Sequence, residues 1–215
     1  MCARFNLASP EQAARYFQGR LRFDDPPRYN IAPTDLILTG LLDAGGLVAE
    51  HMRWGMKLGD RPGVINLRSE TSSIERSFGS EPRFQRCLIP ATGFFEWRQE
   101  GSVKQPYNFV MESGEAFAFA GLWQPGHQGP PEVAILTCHP NELVAAYHDR
   151  MPSLVAPEDA ERYLSGSAEE VLEIARVPFP AERMKTYPVS RKMGSPRFQD
   201  SEAIRPAEPP NPSLF

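Results

Sequence analysis

Apolar residues along this chain fall into many short runs separated by turn formers, with a few longer stretches at helical spacing between them. From residue 35 the pattern is β-like. Leu36-Ile37-Leu38-Thr39-Gly40-Leu41-Leu42 and Leu47-Val48-Ala49-Glu50-His51-Met52 flank Ala44-Gly45-Gly46, which predicts a hairpin. Cys87-Leu88-Ile89 and Gly93-Phe94-Phe95-Glu96-Trp97 read as short strands. Residues 107–111 and 116–122 read as a second hairpin across Ser113-Gly114, and residues 133–137 as an apolar strand. Ser9-Pro10-Glu11-Gln12 marks a helix start: Ser9 caps, Pro10 suits the first helical position, and Gln12 completes a capping box. That helix runs to about Gln18, where Gly19 ends it. Further helices are expected over 69–78, 141–147, 157–164 and 168–174, and an irregular loop around Pro26, Pro27 and Pro33. Many short strands with interspersed helices predict an α+β fold, a single compact domain built on mostly antiparallel, curved β-sheet. The domain is expected to span 1–204. A Pro-rich tail over 205–215 lacks a hydrophobic period and is expected to be disordered.

The chain's 215 residues suit one domain. No apolar stretch approaches the ~18 residues of a membrane span, and no apolar signal-peptide core follows Met1, so a cytoplasmic protein with no membrane partner is expected. Three widely spaced cysteines, Cys2, Cys87 and Cys138, argue against a disulfide framework or a zinc ribbon. The four histidines form no His-Glu-x-x-His pattern, so neither a metal nor another cofactor is expected. A net charge of −4 votes mildly against nucleic acid as a partner. Its distribution qualifies that vote: basic residues concentrate between 28 and 104, and acidic ones dominate from Glu158 to Glu173.

Four short segments carry chemistry. Removal of Met1 would leave Cys2 with a free α-amine, of reference pKa ~7.7–8.0, beside its thiol. That pair can condense with an aldehyde to an imine and close a five-membered thiazolidine; an N-terminal Cys is also the nucleophile of self-processing amidohydrolases. Taken alone, Cys2 is better read as a chance residue after the start. Asn66-Leu67-Arg68-Ser69 places an amide that could orient a sugar oxygen before an arginine for phosphate, or simply caps a helix. Glu96 lies between aromatics, on the strand face opposite Phe95 and Trp97. In a pocket its pKa would rise, suiting acid–base work, whereas an ordinary solvent-facing Glu is the commoner case. His148-Asp149-Arg150 offers a proton shuttle and a phosphate ligand, or a histidine resting on the last carbonyls of a helix.

Taken together, seven blocks resemble one family in order and spacing: Met1-Cys2-Ala3-Arg4-Phe5, Arg28-Tyr29-Asn30-Ile31-Ala32-Pro33, Trp54-Gly55-Met56, Asn66-Leu67-Arg68-Ser69-Glu70-Thr71, Arg86-Cys87-Leu88-Ile89-Pro90, Gly93-Phe94-Phe95-Glu96-Trp97 and His148-Asp149-Arg150-Met151-Pro152. The family is that of the SOS-response-associated peptidases (SRAP), regarded as abasic-site processing proteins, and the resemblance runs from Met1 to about Ser190. It implies a β-rich pseudobarrel with flanking helices, acting as a monomer on single-stranded DNA that contains abasic sites. It implies Cys2 as the crosslinking residue, Asn66 as the group that positions the sugar hydroxyl or thiazolidine, Glu96 as acid or base, and His148 in sugar ring opening. Arg4, Arg68 and Arg150 would bind phosphates, and Trp54 would pack against an unstacked base. The chain departs from the family's pattern at Ala3, Leu67, Thr92 and Phe95, and reads Lys192-Met193-Gly194-Ser195-Pro196-Arg197 where asparagines are common. The alternative is a cysteine peptidase using Cys2, and a third reading is a noncatalytic nucleic-acid-binding module.

Overall fold

In a computed structural model, residues 2–21, 24–71, 84–126 and 129–207 are described. The elements begin with β1 (Phe5–Leu7), α1 (Pro10–Tyr16), β2 (Arg28–Ile31), β3 (Leu36–Asp43) and β4 (Gly46–Trp54). Then follow β5 (Met56–Leu58), β6 (Arg61–Val64), β7 (Asn66–Arg68), β8 (Gln85–Ala91), β9 (Gly93–Glu100), β10 (Val103–Met111), β11 (Phe117–Gln124) and β12 (Glu132–Cys138). The remainder comprises α2 (Glu142–Ala145), β13 (Met151–Pro152), β14 (Leu154–Val155), α3 (Ala160–Ser165), α4 (Ala168–Arg176) and β15 (Met184–Pro188). As expected, Ser9 caps α1 by accepting from the Gln12 amide, with Pro10 in the first turn. Ser167 and Glu170 form a full capping box on α4.

Two sheets organise the molecule. One runs β15-β10-β9-β1-β2. The other has eight strands and closes on itself: β12 pairs β4, β4 pairs β3, β3 pairs β8, β8 pairs β11, and β11 returns to β12. All pairings are antiparallel except β12 with β4 and with β7. The expected α+β class with curved, mostly antiparallel sheet therefore holds, and the ring is the pseudobarrel. Its interior is filled by Phe5, Trp54, Phe94, Phe109, Phe117 and Phe119, all essentially unexposed, with Phe5 edge-on to Trp54 and Phe119 at centroid distances of 5.2 and 5.4 Å.

The hairpin across Ala44-Gly45-Gly46 forms, Asp43 opposite Gly46. The second expected hairpin does not. β10 pairs with β9 and β15, and β11 with β8, β12 and β14, so Ser113-Gly114 is a corner between sheets. The partner of β10 is its predecessor, β9, reached through a turn with Gly101 at φ +57°. The supposed loop after Pro26 and Pro27 contains β2, because Ile31 finds Phe5 across the ladder. Of the expected 69–78 helix, Ser69 and Glu70 form a turn closed by the Thr71 amide on the Arg68 carbonyl, and 72–78 lie outside the described residues. Of the expected tail, Pro206 bridges to Val189 and the Ala207 amide donates to the Pro188 carbonyl; residues 208–215 lie outside the described part. No helix is long and apolar enough to cross a membrane, among the described residues.

Candidate functional site

β9 is the backbone of the site. Phe5 lies opposite Phe94, and the Phe95 amide donates to the Arg4 carbonyl at 3.0 Å, so the amino-terminal run continues along β9 past Glu96. Strand alternation turns Phe94 and Glu96 to one face, while Phe95 packs on the other with Val189, Met193 and Ala203. Glu96 is not on the solvent side; it is 3% exposed. Asn66 arrives from β7, which is held in parallel register on β12 with Asn66 opposite Ile135. Its Nδ2 donates to the Cys2 carbonyl at 2.8 Å, and its buried Oδ1 has no partner among the described residues. His148 follows α2, where Tyr147 is fixed edge-on to Tyr107 and Phe109 of β10 at centroid distances of 4.8 and 5.0 Å. Tyr107 is the cross-strand partner of Glu96. Four residues distant in sequence therefore converge.

Their electrostatics are coupled. Burial pushes the Glu96 carboxyl up to about 7, against the opposing pull of the chain's amino-terminal charge and of Lys104. Burial, that same amino-terminal charge and Lys104 lower the pKa of His148, with Asp149 opposing, so its imidazole is neutral at pH 7. The Cys2 thiol is pushed up by burial and by the negative charge of Glu96, which keeps it a thiol. Cys2 is fully buried and its Sγ rests 3.5 Å from the Arg4 carbonyl.

The expected DNA-contacting side chains divide. Arg68 is exposed beside Asn66 on β7. The Trp54 ring is wholly buried in the barrel and its Nε1 donates to the Ile65 carbonyl at 3.0 Å. Arg4 is buried as well, donating to Asn30 Oδ1 and to the carbonyls of Met193 and Gly194 at 2.6, 3.1 and 3.0 Å. Arg150 forms a two-pronged ion pair with Glu70, both arms at 2.8 Å. In all three the side chain is held by strands or turns distant in sequence, which motif spacing does not reveal. Asn30, Glu70 and Lys104 were missed. The first two stand inside motif blocks, and for Lys104 the sequence holds no signal. Among the described residues no group of three or more His, Cys, Asp or Glu side chains is placed to hold a metal.

Comparison with known proteins places this geometry in context. The sequence model of a family described as SOS response associated peptidase (SRAP) matches residues 1–196. The chain is 34% identical over 193 residues to the abasic site processing protein YoqW of Bacillus subtilis, covering 83% of this chain and 85% of that one. It is 30% identical over 222 residues to the abasic site processing protein YedK of Escherichia coli, covering 96% and 100%. Among solved structures, a phage-related protein from Bordetella bronchiseptica is similar with a TM-score of 0.70 at 28% identity, over 88% of this chain and 95% of that one. A protein from Bacteroides thetaiotaomicron shares the fold with a TM-score of 0.75 at 21% identity, over 96% and 100%.

Proposed function

The chain belongs to the SOS response associated peptidase (SRAP) family, and from that membership we propose that it processes abasic sites in single-stranded DNA by covalent capture at Cys2. The observation that carries the reading is a buried carboxyl poised near neutrality, Glu96, sharing one electrostatic neighbourhood with the Cys2 thiol and the chain's amino terminus. A surface carboxylate on a half-buried strand would have no such setting.

With Met1 removed, the Cys2 α-amine attacks the aldehyde carbon of the ring-opened sugar; the Glu96 carboxyl gives its proton to the departing oxygen, which leaves as water, and a protonated C=N bond remains opposite the Glu96 carboxylate. Sγ then bonds to that carbon, the C=N electron pair returns to nitrogen, and the thiol proton passes to the Glu96 carboxylate. Aldehyde and aminothiol thus become a thiazolidine and one water. Neutral His148 is suited to take the proton from the sugar hydroxyl as the ring opens. Asn66, through the Cys2 carbonyl, fixes the direction of the amine. Arg68 is the phosphate ligand this reading retains.

The test is a denaturing gel after incubation with single-stranded DNA carrying one abasic site. A stable adduct is expected from the native chain. Cys2→Ala should yield an imine that borohydride traps, and no stable adduct; a stable one would rule out the thiazolidine. The peptidase implied by the family's description is the weaker alternative, since a cysteine peptidase needs a thiolate and burial beside Glu96 opposes one.

A further inference from the structure

The carbonyl of Thr137, on β12, is a hub. It accepts from the Ser69 amide at 3.0 Å, from Ser69 Oγ at 3.0 Å and from Arg150 NH2 at 2.6 Å. Thr137 Oγ1 in turn donates to the Leu67 carbonyl at 3.2 Å. Arg150 completes the junction by gripping both carboxylate oxygens of Glu70. Glu70 is four residues beyond Asn66, and Arg150 is two beyond His148, whose Nδ1 accepts from the Arg150 backbone amide at 3.0 Å. The strand carrying the proposed amide and the loop carrying the proposed imidazole are therefore tied by one ion pair and one carbonyl. The Arg150 side chain is only 8% exposed and that of Glu70 32%. A guanidinium this desolvated is poorly tolerated without its counter-ion, so the pair holds its geometry.

We infer that Glu70 is a positioning residue: by occupying the fork of Arg150 it keeps His148 and Asn66 in register. Two other observations agree. Burial disfavours the charge on Glu70, yet the Arg150 hydrogen bonds and charge, with His139 nearby, hold its carboxyl below the ordinary range, so it is anionic at neutral pH. Arg150 Nε is buried without a partner among the described residues, so the guanidinium is committed by its two terminal nitrogens alone.

This inference rests on the abasic-site reading, and the experiment separates the two. Wild type, Glu70→Gln and Glu70→Ala are compared for crosslinking rate at saturating abasic single-stranded DNA, and for affinity to the same strand carrying an unreactive tetrahydrofuran site at several salt concentrations. Displacing an acid–base group by about an ångström costs up to ~100-fold in rate. Glu70→Ala should therefore crosslink ~10–100-fold more slowly at saturation, Glu70→Gln should lie between it and wild type, and both should bind the analogue with unchanged affinity and salt slope. Glu70→Gln retains an acceptor for Arg150 and serves if Glu70→Ala fails to fold. A wild-type saturating rate in both variants would overturn the inference. So would tighter, more salt-sensitive binding with an unchanged rate, because Arg150 would then be a phosphate ligand released by the mutation. Independently of DNA, the His148 ring resonance should titrate closer to the ordinary imidazole value of about 6.5 in Glu70→Gln than in wild type; identical titrations would also overturn it. Absence of any adduct with the wild-type chain would instead sink the abasic-site reading, leaving the titration to judge Glu70.

Discussion

Glu96 is costly to bury, and the sign of that cost is measurable. Its carboxyl titrates at about 7 in the folded chain, against 4.5 for the ordinary group. Between those values the folded state holds a proton that the unfolded state has released, so stability falls as pH rises from about 4.5 to 7. The full penalty, on the order of 3 kcal/mol, is present above pH 7. Glu96→Gln removes it, so urea unfolding at pH 8 should find the variant more stable than wild type, with the gap closing near pH 4. In the same variant the crosslinking rate should fall ~10²–10⁴-fold and lose its inflection near neutrality. That Glu96 lies near Cys2 was legible from motif order alone. That Trp54 and Arg4 belong to the interior was not, because Phe5, Ile65 and Met193 reach them from three separate parts of the chain.

At the scale of elements, the junction of β1, β9 and β10 depends on a missing side chain. Gly93 lies opposite Asn6, and a Cβ there would fall 2.6 Å from Asn108 Oδ1 and 2.8 Å from Asn6 Nδ2. Those two amides hydrogen-bond each other at 3.2 Å, Thr92 Oγ1 donates to Asn6 Oδ1 at 2.7 Å, and Asn108 Nδ2 donates to the Tyr187 hydroxyl at 3.0 Å. One polar chain thus joins β1, the β8–β9 connection, β10 and β15. Gly93→Ala should cost ~1–3 kcal/mol through overpacking, and more if an amide is left unpaired, which thermal unfolding would register as a lowered Tm. Hydrophobic runs and caps revealed strands and helices where local signals are strong, as in β3, β4, α1 and α4. They misassigned the partner of β10, because alternation along a strand says which face is buried and not which strand lies beside it. They also passed over β2, whose flanking prolines signal a loop while its pairing to β1 is set by residues more than twenty positions away.

For the whole molecule, the two ends of the described chain meet. Asn30 Nδ2 donates to the carbonyls of Met193, Ser195 and Phe198, at 2.9, 2.9 and 3.0 Å, beside the Arg4 contacts to Met193 and Gly194. Residues 190–207 so form a strap across β1 and β2, over Phe95 and Val189. Ending the chain at Ser190 should strip Asn30 Nδ2 of its carbonyl acceptors, leave Arg4 with Asn30 Oδ1 alone, and destabilise the fold by at least ~3 kcal/mol in urea titration. The net charge of −4 is compatible with DNA binding through a local basic face, so binding should weaken steeply with salt, and Arg68→Ala should flatten the slope by ~0.7. Single-stranded substrate should react faster than duplex, and equal rates would count against a single-strand groove.

The central place of β1, between β2 and β9, also has a bearing on biosynthesis. The first residues to leave the ribosome have no completed berth until β9 has been made, and no roof until the strap has emerged. At ~5–20 residues per second the nascent amino terminus stays undocked for roughly 10–40 s, and in that interval an aminopeptidase can reach a Met1–Cys2 bond whose second residue is afterwards wholly buried. Cells in which methionine trimming is inhibited should therefore accumulate folded molecules whose intact mass still includes Met1. Restoring the aminopeptidase after folding should not convert them, because Cys2, on which the enzyme would have to act, is by then wholly buried.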